Sequence, residues 1–218
     1  MRINHQRAFI ITGMLSSLLA FFSALIYAVS LLLSMVFYNI TIGNTGMFFS
    51  GIVIALSFIF MVYSYLVFSN DENKPYIIFS LILSIVYFIY ILFGYSIQFS
   101  GLFFLGNTEK KFMLSNYYNF ESFLNFNIFG YLLLSLSSFF IGLSIETNSK
   151  KDNILKLMML NHTIFGIFFI LSLFKMIFNY VSDYYFLTGL VIKIKWCIYF
   201  SLICILSFGY FRKTSLSV

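Results

Sequence analysis

Apolar residues run along this chain in long unbroken blocks, not in alternation. Six blocks stand out, at about 8–36, 47–68, 75–98, 127–145, 154–178 and 186–211. Each is near or above the ~20 residues that carry a helix across a bilayer. In lipid every backbone N–H and C=O must be satisfied internally, which leaves helices and closed barrels. A barrel needs period-two alternation, so the continuous blocks predict helices. The expected fold is all-α: one polytopic membrane domain, a bundle of six transmembrane helices.

The breaks between blocks carry the polar residues. Ala28-Val29-Ser30 has the small-x-small form of a signal-peptide cleavage site. The apolar run before it exceeds the ~7–15 residues of a signal core, and LLLSMVF continues beyond, so an uncleaved first span is expected. Gly13, Ser17, Ala20, Ala24 and Ala28 recur at spacings of three and four, which makes one face of this span a small-residue packing stripe. Tyr38 to Thr45 is predicted as a turn around Asn39, Gly43 and Asn44. Asp71, Glu72 and Lys74 precede Pro75, which sits where a first helical turn tolerates it. Residues 99–126 are expected to be the one long connection, with Tyr117, Tyr118, Phe120, Phe123 and Phe126 suited to the headgroup region. Lys150 and Lys151 mark the fourth break and Asp183 the fifth.

Composition sharpens this picture. The chain is 61% hydrophobic and only 9% charged, with mean hydropathy +0.96, whereas a soluble domain is about 25% charged. Its net charge of +6 lies mostly at span ends, and no basic run has the context of a nucleic-acid surface. With six spans and the N-terminus inside, Arg2, Arg7, Lys74, Lys150, Lys151, Lys156, Arg212 and Lys213 are cytoplasmic, against Lys110, Lys111, Lys175, Lys193 and Lys195 outside. That bias predicts a multi-pass protein of the cell membrane with both termini cytoplasmic. Cys197 and Cys204 are seven apart. On one helix that is about 10.5 Å of rise, beyond disulfide reach.

Several short motifs have a familiar order. Tyr87 leads to Tyr95-Ser96-Ile97-Gln98, then to Asn119-Phe120 and Ser122, then to Phe129-Gly130-Tyr131 and a leucine-serine run, and later to Leu160-Asn161. Over roughly Tyr87 to Phe165 the chain resembles a group of uncharacterised six-span bacterial membrane proteins. It departs from that pattern in lacking a Pro after the loop Asn and acidic residues before the Gly-Tyr pair. The resemblance implies a bacterial cytoplasmic membrane and a six-helix bundle, and carries no activity.

Candidate chemistry is sparse. All seven acidic residues lie in breaks or at span ends, whereas ion-coupled pumps place one at mid-membrane. No GxSxG, HExxH or paired-histidine spacing occurs, so neither a metal nor a cofactor is expected. His162 is the one histidine inside a span, beside Asn161; an interhelical hydrogen bond is the plain reading and a ligand or proton site the sharper one. Lys193 and Lys195 fall inside the sixth block, at a cost of about 2.5–3.5 kcal/mol each if truly immersed. Snorkelling with a span that effectively starts near Ile192 accounts for them. The alternative is an outward-facing basic site for a lipid phosphate or anionic solute, with Lys175 as a third member and Asp183 as partner. Residues two apart on a helix point about 200° apart, which counts against it. The expected function is non-enzymatic — structural, sensory or partner-binding — with a small-solute or lipid transporter as the alternative. Expected partners are the bilayer, anionic lipid, and another membrane protein or a second copy; nucleic acid is not one.

Overall fold

The computed structural model describes residues 2–36, 40–104, 121–177 and 183–215. Among these there are helices and turns and no strand. The helices are α1 (Arg2–Val36), α2 (Ile40–Phe68), α3 (Lys74–Phe104), α4 (Glu121–Ser144), α5 (Lys150–Asn161), α6 (Thr163–Ile177) and α7 (Asp183–Ser215). Four contain stretches long and apolar enough to cross a membrane: Arg7–Leu33, Thr45–Phe68, Lys74–Ser96 and Val191–Ser215. Phe129–Ser144 is a shorter apolar stretch.

Most helices overrun their apolar blocks. Ile40 to Thr45 belongs to α2, not to a turn, and α3 and α4 extend into the expected long connection at both ends. Its core, 105–120, lies outside the described residues, as do Glu109, Tyr117, Tyr118 and Phe120. Hydropathy marks only the part of a helix that prefers lipid. The i→i−4 hydrogen bonds continue into polar residues until a cap or breaker stops them.

The helices are inside-out compared with those of a soluble bundle. On α1, Ile11, Leu15, Leu19, Phe22, Ile26 and Val29 are exposed, while Ser17, Ala20 and Ala24 are fully buried. The small-residue stripe therefore packs inward, and large aliphatic side chains cover the outside. Serines follow the same rule: among the described residues fifteen are buried. Many satisfy their own hydroxyl on the preceding turn, as Ser17 does on the Gly13 carbonyl at 2.7 Å. Small buried residues let helix backbones approach closely, which is how helices associate where lipid offers no hydrophobic driving force.

The helices close into a ring. α1 packs on α2 and on α7, α2 on α3, α3 on α4, α4 on α5 and α6, and α5 on α7. α3 and α4 are joined by a reciprocal serine pair. Ser80 donates to the Ser137 carbonyl at 2.9 Å and Ser137 to the Ser80 carbonyl at 2.8 Å, with the two hydroxyls 2.7 Å apart.

One end of the ring is fastened by polar contacts. Ser149 caps α5 by accepting from the Asp152 N–H at 3.3 Å, a favoured cap residue. The Asp152 carboxylate takes Lys213 from the end of α7 at 2.7 Å. Burial pushes the Asp152 carboxyl up, but the hydrogen bonds from Lys213 and Ser149 and the Lys213 charge outweigh it and hold it below the usual carboxylate range. Asn70 donates to Glu146, which ties the α2–α3 turn to the α4–α5 turn.

Candidate functional site

The middle of the ring is filled by aromatic side chains that meet from five elements. Tyr131 on α4 donates to the Tyr27 hydroxyl on α1 at 2.8 Å, directly across the bundle. Tyr131 also meets Trp196 on α7 edge-on, with ring centroids 4.7 Å apart. Trp196 stacks on Phe200, one turn further along α7, at 5.2 Å and 8°. Phe200 in turn packs against Phe58 of α2 at 6.1 Å. Tyr27, Tyr131, Trp196, Phe200 and Phe58 are all essentially buried.

His162 is the polar centre of this cluster. The block expected to form one span from 154 to 178 is two helices, α5 and α6, with His162 between them. The backbone stays close to helical: His162 has right-handed helical angles of −59° and −26°, and its N–H still reaches the Met158 carbonyl at 3.0 Å. The next contact is a tighter i→i−3 bond, Phe165 N–H to the His162 carbonyl at 3.1 Å, a local 3₁₀ feature. The imidazole is fully buried. It lies parallel to Tyr199, Phe200 and Trp196 at 5.9, 6.0 and 6.4 Å, with Phe165 at 5.9 Å.

His162 Nδ1 is 2.9 Å from the Ser138 hydroxyl, which also lies 2.9 Å from the Leu134 carbonyl. When the one hydroxyl proton goes to Leu134, the imidazole donates from Nδ1 and Nε2 carries the lone pair. That Nε2, the Trp196 indole N–H and the Ser135 hydroxyl are buried without a hydrogen-bond partner. Among the described residues no group of three His, Cys, Asp or Glu is placed to hold a metal.

The other expected site residues do not converge here. Asn161 is exposed although His162 beside it is buried. Lys195 is exposed and Lys193 half-buried; among the described residues neither makes an ion pair. Lys193 is three residues before Trp196 and so shares its side of α7. Lys175 lies near the end of α6 and Asp183 begins α7, with both side chains outside the described residues. From Lys195 to Lys213 is eighteen residues, or about 27 Å of helix, close to the ~30 Å of a bilayer core.

Sequence reasoning passed over Trp196 and Tyr27, and met Tyr131 only as part of the Phe129-Gly130-Tyr131 motif, with no role. A signal existed for two of them: Tyr27 lies three residues beyond Ala24 on the small-residue stripe, and Trp196 is the chain's one Trp. Comparison with protein-family models, with curated proteins and with solved structures finds no match.

Proposed function

We propose that the chain is a six-span protein of the bacterial cytoplasmic membrane with both termini inside, working as a closed, non-enzymatic bundle in a sensory, structural or partner-binding role. The observation that carries this reading is the aromatic plug: Tyr27, Tyr131, Trp196, Phe200 and Phe58 fill the space where a solute path between the helices would run. The buried serine face and the exposed aliphatic face support lipid as solvent. The distribution of Lys and Arg supports the orientation, and the resemblance supports the bacterial membrane. The transporter reading has one feature in its favour, the helix interruption at His162, since broken spans mark transporter sites. Backbone hydrogen bonds continue across that interruption, which supports the closed bundle over a broken span.

Flux is the direct test. Liposomes containing the purified chain are expected to leak potassium, amino acids and organic anions no faster than protein-free vesicles. Saturable flux of any solute would replace this reading with the transporter.

Orientation has its own test. With Cys197 and Cys204 changed to Ser and Lys195→Cys introduced, a membrane-impermeant thiol reagent is expected to label intact cells rapidly. Labelling only after permeabilisation would invert the topology.

A further inference from the structure

The fastened end of the ring holds a cleft that the interior cluster does not use. Tyr65, Phe68, Asn70, Ser144, Glu146 and Tyr210 are among the residues lining a cavity of about 30 Å³, large enough for one water-sized or ammonium-sized group. Tyr65 and Ser144 form its buried wall. The Tyr65 and Tyr210 rings lie 5.5 Å apart, and the Tyr65 hydroxyl is turned inward to Ser207 at 3.0 Å. Two tyrosine rings thus stand among the lining residues, beside the polar side chains of Asn70 and Glu146.

Charge distinguishes this rim from its surroundings. Asp71 is paired with Lys74 at 2.5 Å and Asp152 with Lys213 at 2.7 Å. Glu146 has a neutral partner, Asn70, and makes no ion pair among the described residues. Lys156, the nearby cation, directs its ammonium to the Ile145 carbonyl at 3.1 Å instead. An exposed carboxylate that makes no ion pair among the described residues, at the mouth of a small cavity, is chemistry that suits an organic ammonium: the carboxylate supplies charge and accepts hydrogen bonds. Position agrees, because the apolar stretches of α2, α4 and α7 end here at Phe68, Ser144 and Ser215 and that of α3 begins at Lys74. This is the level of lipid headgroups.

We infer that the Glu146 cleft binds a primary ammonium group, carried either by an ethanolamine lipid headgroup or by a free small amine. The inference needs this end of the bundle to lie at a bilayer surface and nothing more. Solute flux would therefore remove the closed-bundle reading and leave this one standing.

The test uses the full chain in nanodiscs of phosphatidylcholine with graded phosphatidylethanolamine, read by native mass spectrometry of retained lipid. The unaltered chain is expected to retain phosphatidylethanolamine over phosphatidylcholine by about tenfold, the scale of one charge-assisted hydrogen bond. Glu146→Gln is expected to abolish that preference. Glu72→Gln, which removes an exposed carboxylate outside the cleft, is expected to preserve it. A headgroup series with one, two and three N-methyl groups, run on the unaltered chain, should lose retention stepwise as N–H donors disappear. If free ethanolamine in pure phosphatidylcholine discs displaces nothing, the lipid is the source; if it raises the melting temperature in a Glu146-dependent way, the free amine is. Equal retention of both lipids together with no response to ethanolamine overturns the proposal, as does a preference that survives Glu146→Gln.

Discussion

Trp196→Ala is expected to cost the bundle about 2–4 kcal/mol. In a water-soluble core, truncating a buried Trp costs about 3–5 kcal/mol, made up of a transfer term and a cavity term. Here the transfer term is small, because the unfolded helix leaves its Trp in lipid that is as apolar as the core. The cavity term remains. Trp196 is 1% exposed and touches Tyr131, Tyr27, Phe200 and His162, so its loss opens a void between α1, α4, the α5–α6 junction and α7 at once. Trp196→Phe keeps most of the volume and also removes an indole N–H that has no partner. It is expected to cost under about 1.5 kcal/mol. Reversible unfolding in mixed detergent micelles, followed by circular dichroism because the chain's one Trp is the residue removed, measures both. A loss below about 1 kcal/mol for Trp196→Ala would mean that the cluster is loosely packed and is not the keystone of the ring.

Gly142→Leu should be comparably harmful, through overpacking. A Cβ at Gly142 would stand 3.0 Å from Leu160 Cγ and 3.1 Å from the Leu160 backbone nitrogen. A flexible side chain can move aside, but a helix backbone cannot do so without shifting the whole α4–α5 contact. Overpacking of this kind costs about 1–3 kcal/mol, and a backbone obstacle places it at the upper end. The same change at Gly209, where a Cβ meets nothing within 4 Å, is expected to be neutral or slightly stabilising, because Leu is the better helix former. Measured side by side, the pair separates close helix approach from any general dislike of leucine. Equal effects at the two positions would refute the assigned α4–α5 contact.

Different residues were legible for different reasons. The stripe of Gly13, Ser17, Ala20 and Ala24 announced the inward face of α1, since small residues at helical spacing in an apolar block have few other uses. His162 stood out because a single imidazole in a span demands a partner. The partner itself, Ser138 at 2.9 Å, was one serine among many and could not be singled out. Ser80 and Ser137 were equally anonymous until helix packing set them in register. Glu146 and Asn70 are 76 positions apart, and nothing local connects them. The interruption at His162 was hidden because hydropathy runs straight through it.

Sequence alone determined the helical class and the apolar blocks long enough to cross a membrane, because those follow from composition and block length summed over twenty residues. It also placed most of the charge at the ends of those blocks. Tertiary structure decided the order in which the helices close on one another, which of the buried serines face a neighbour, and that Tyr27, Tyr131, His162 and Trp196 share one interior. It also left Glu146 with Asn70 as its partner and with no ion pair among the described residues. The reason is physical. In lipid the preference of a residue for the membrane is local and additive, so it can be read along the chain. The choice of neighbour depends on side-chain shape and hydrogen-bond direction between helices that are distant in sequence, and these acquire values only when the ring has closed.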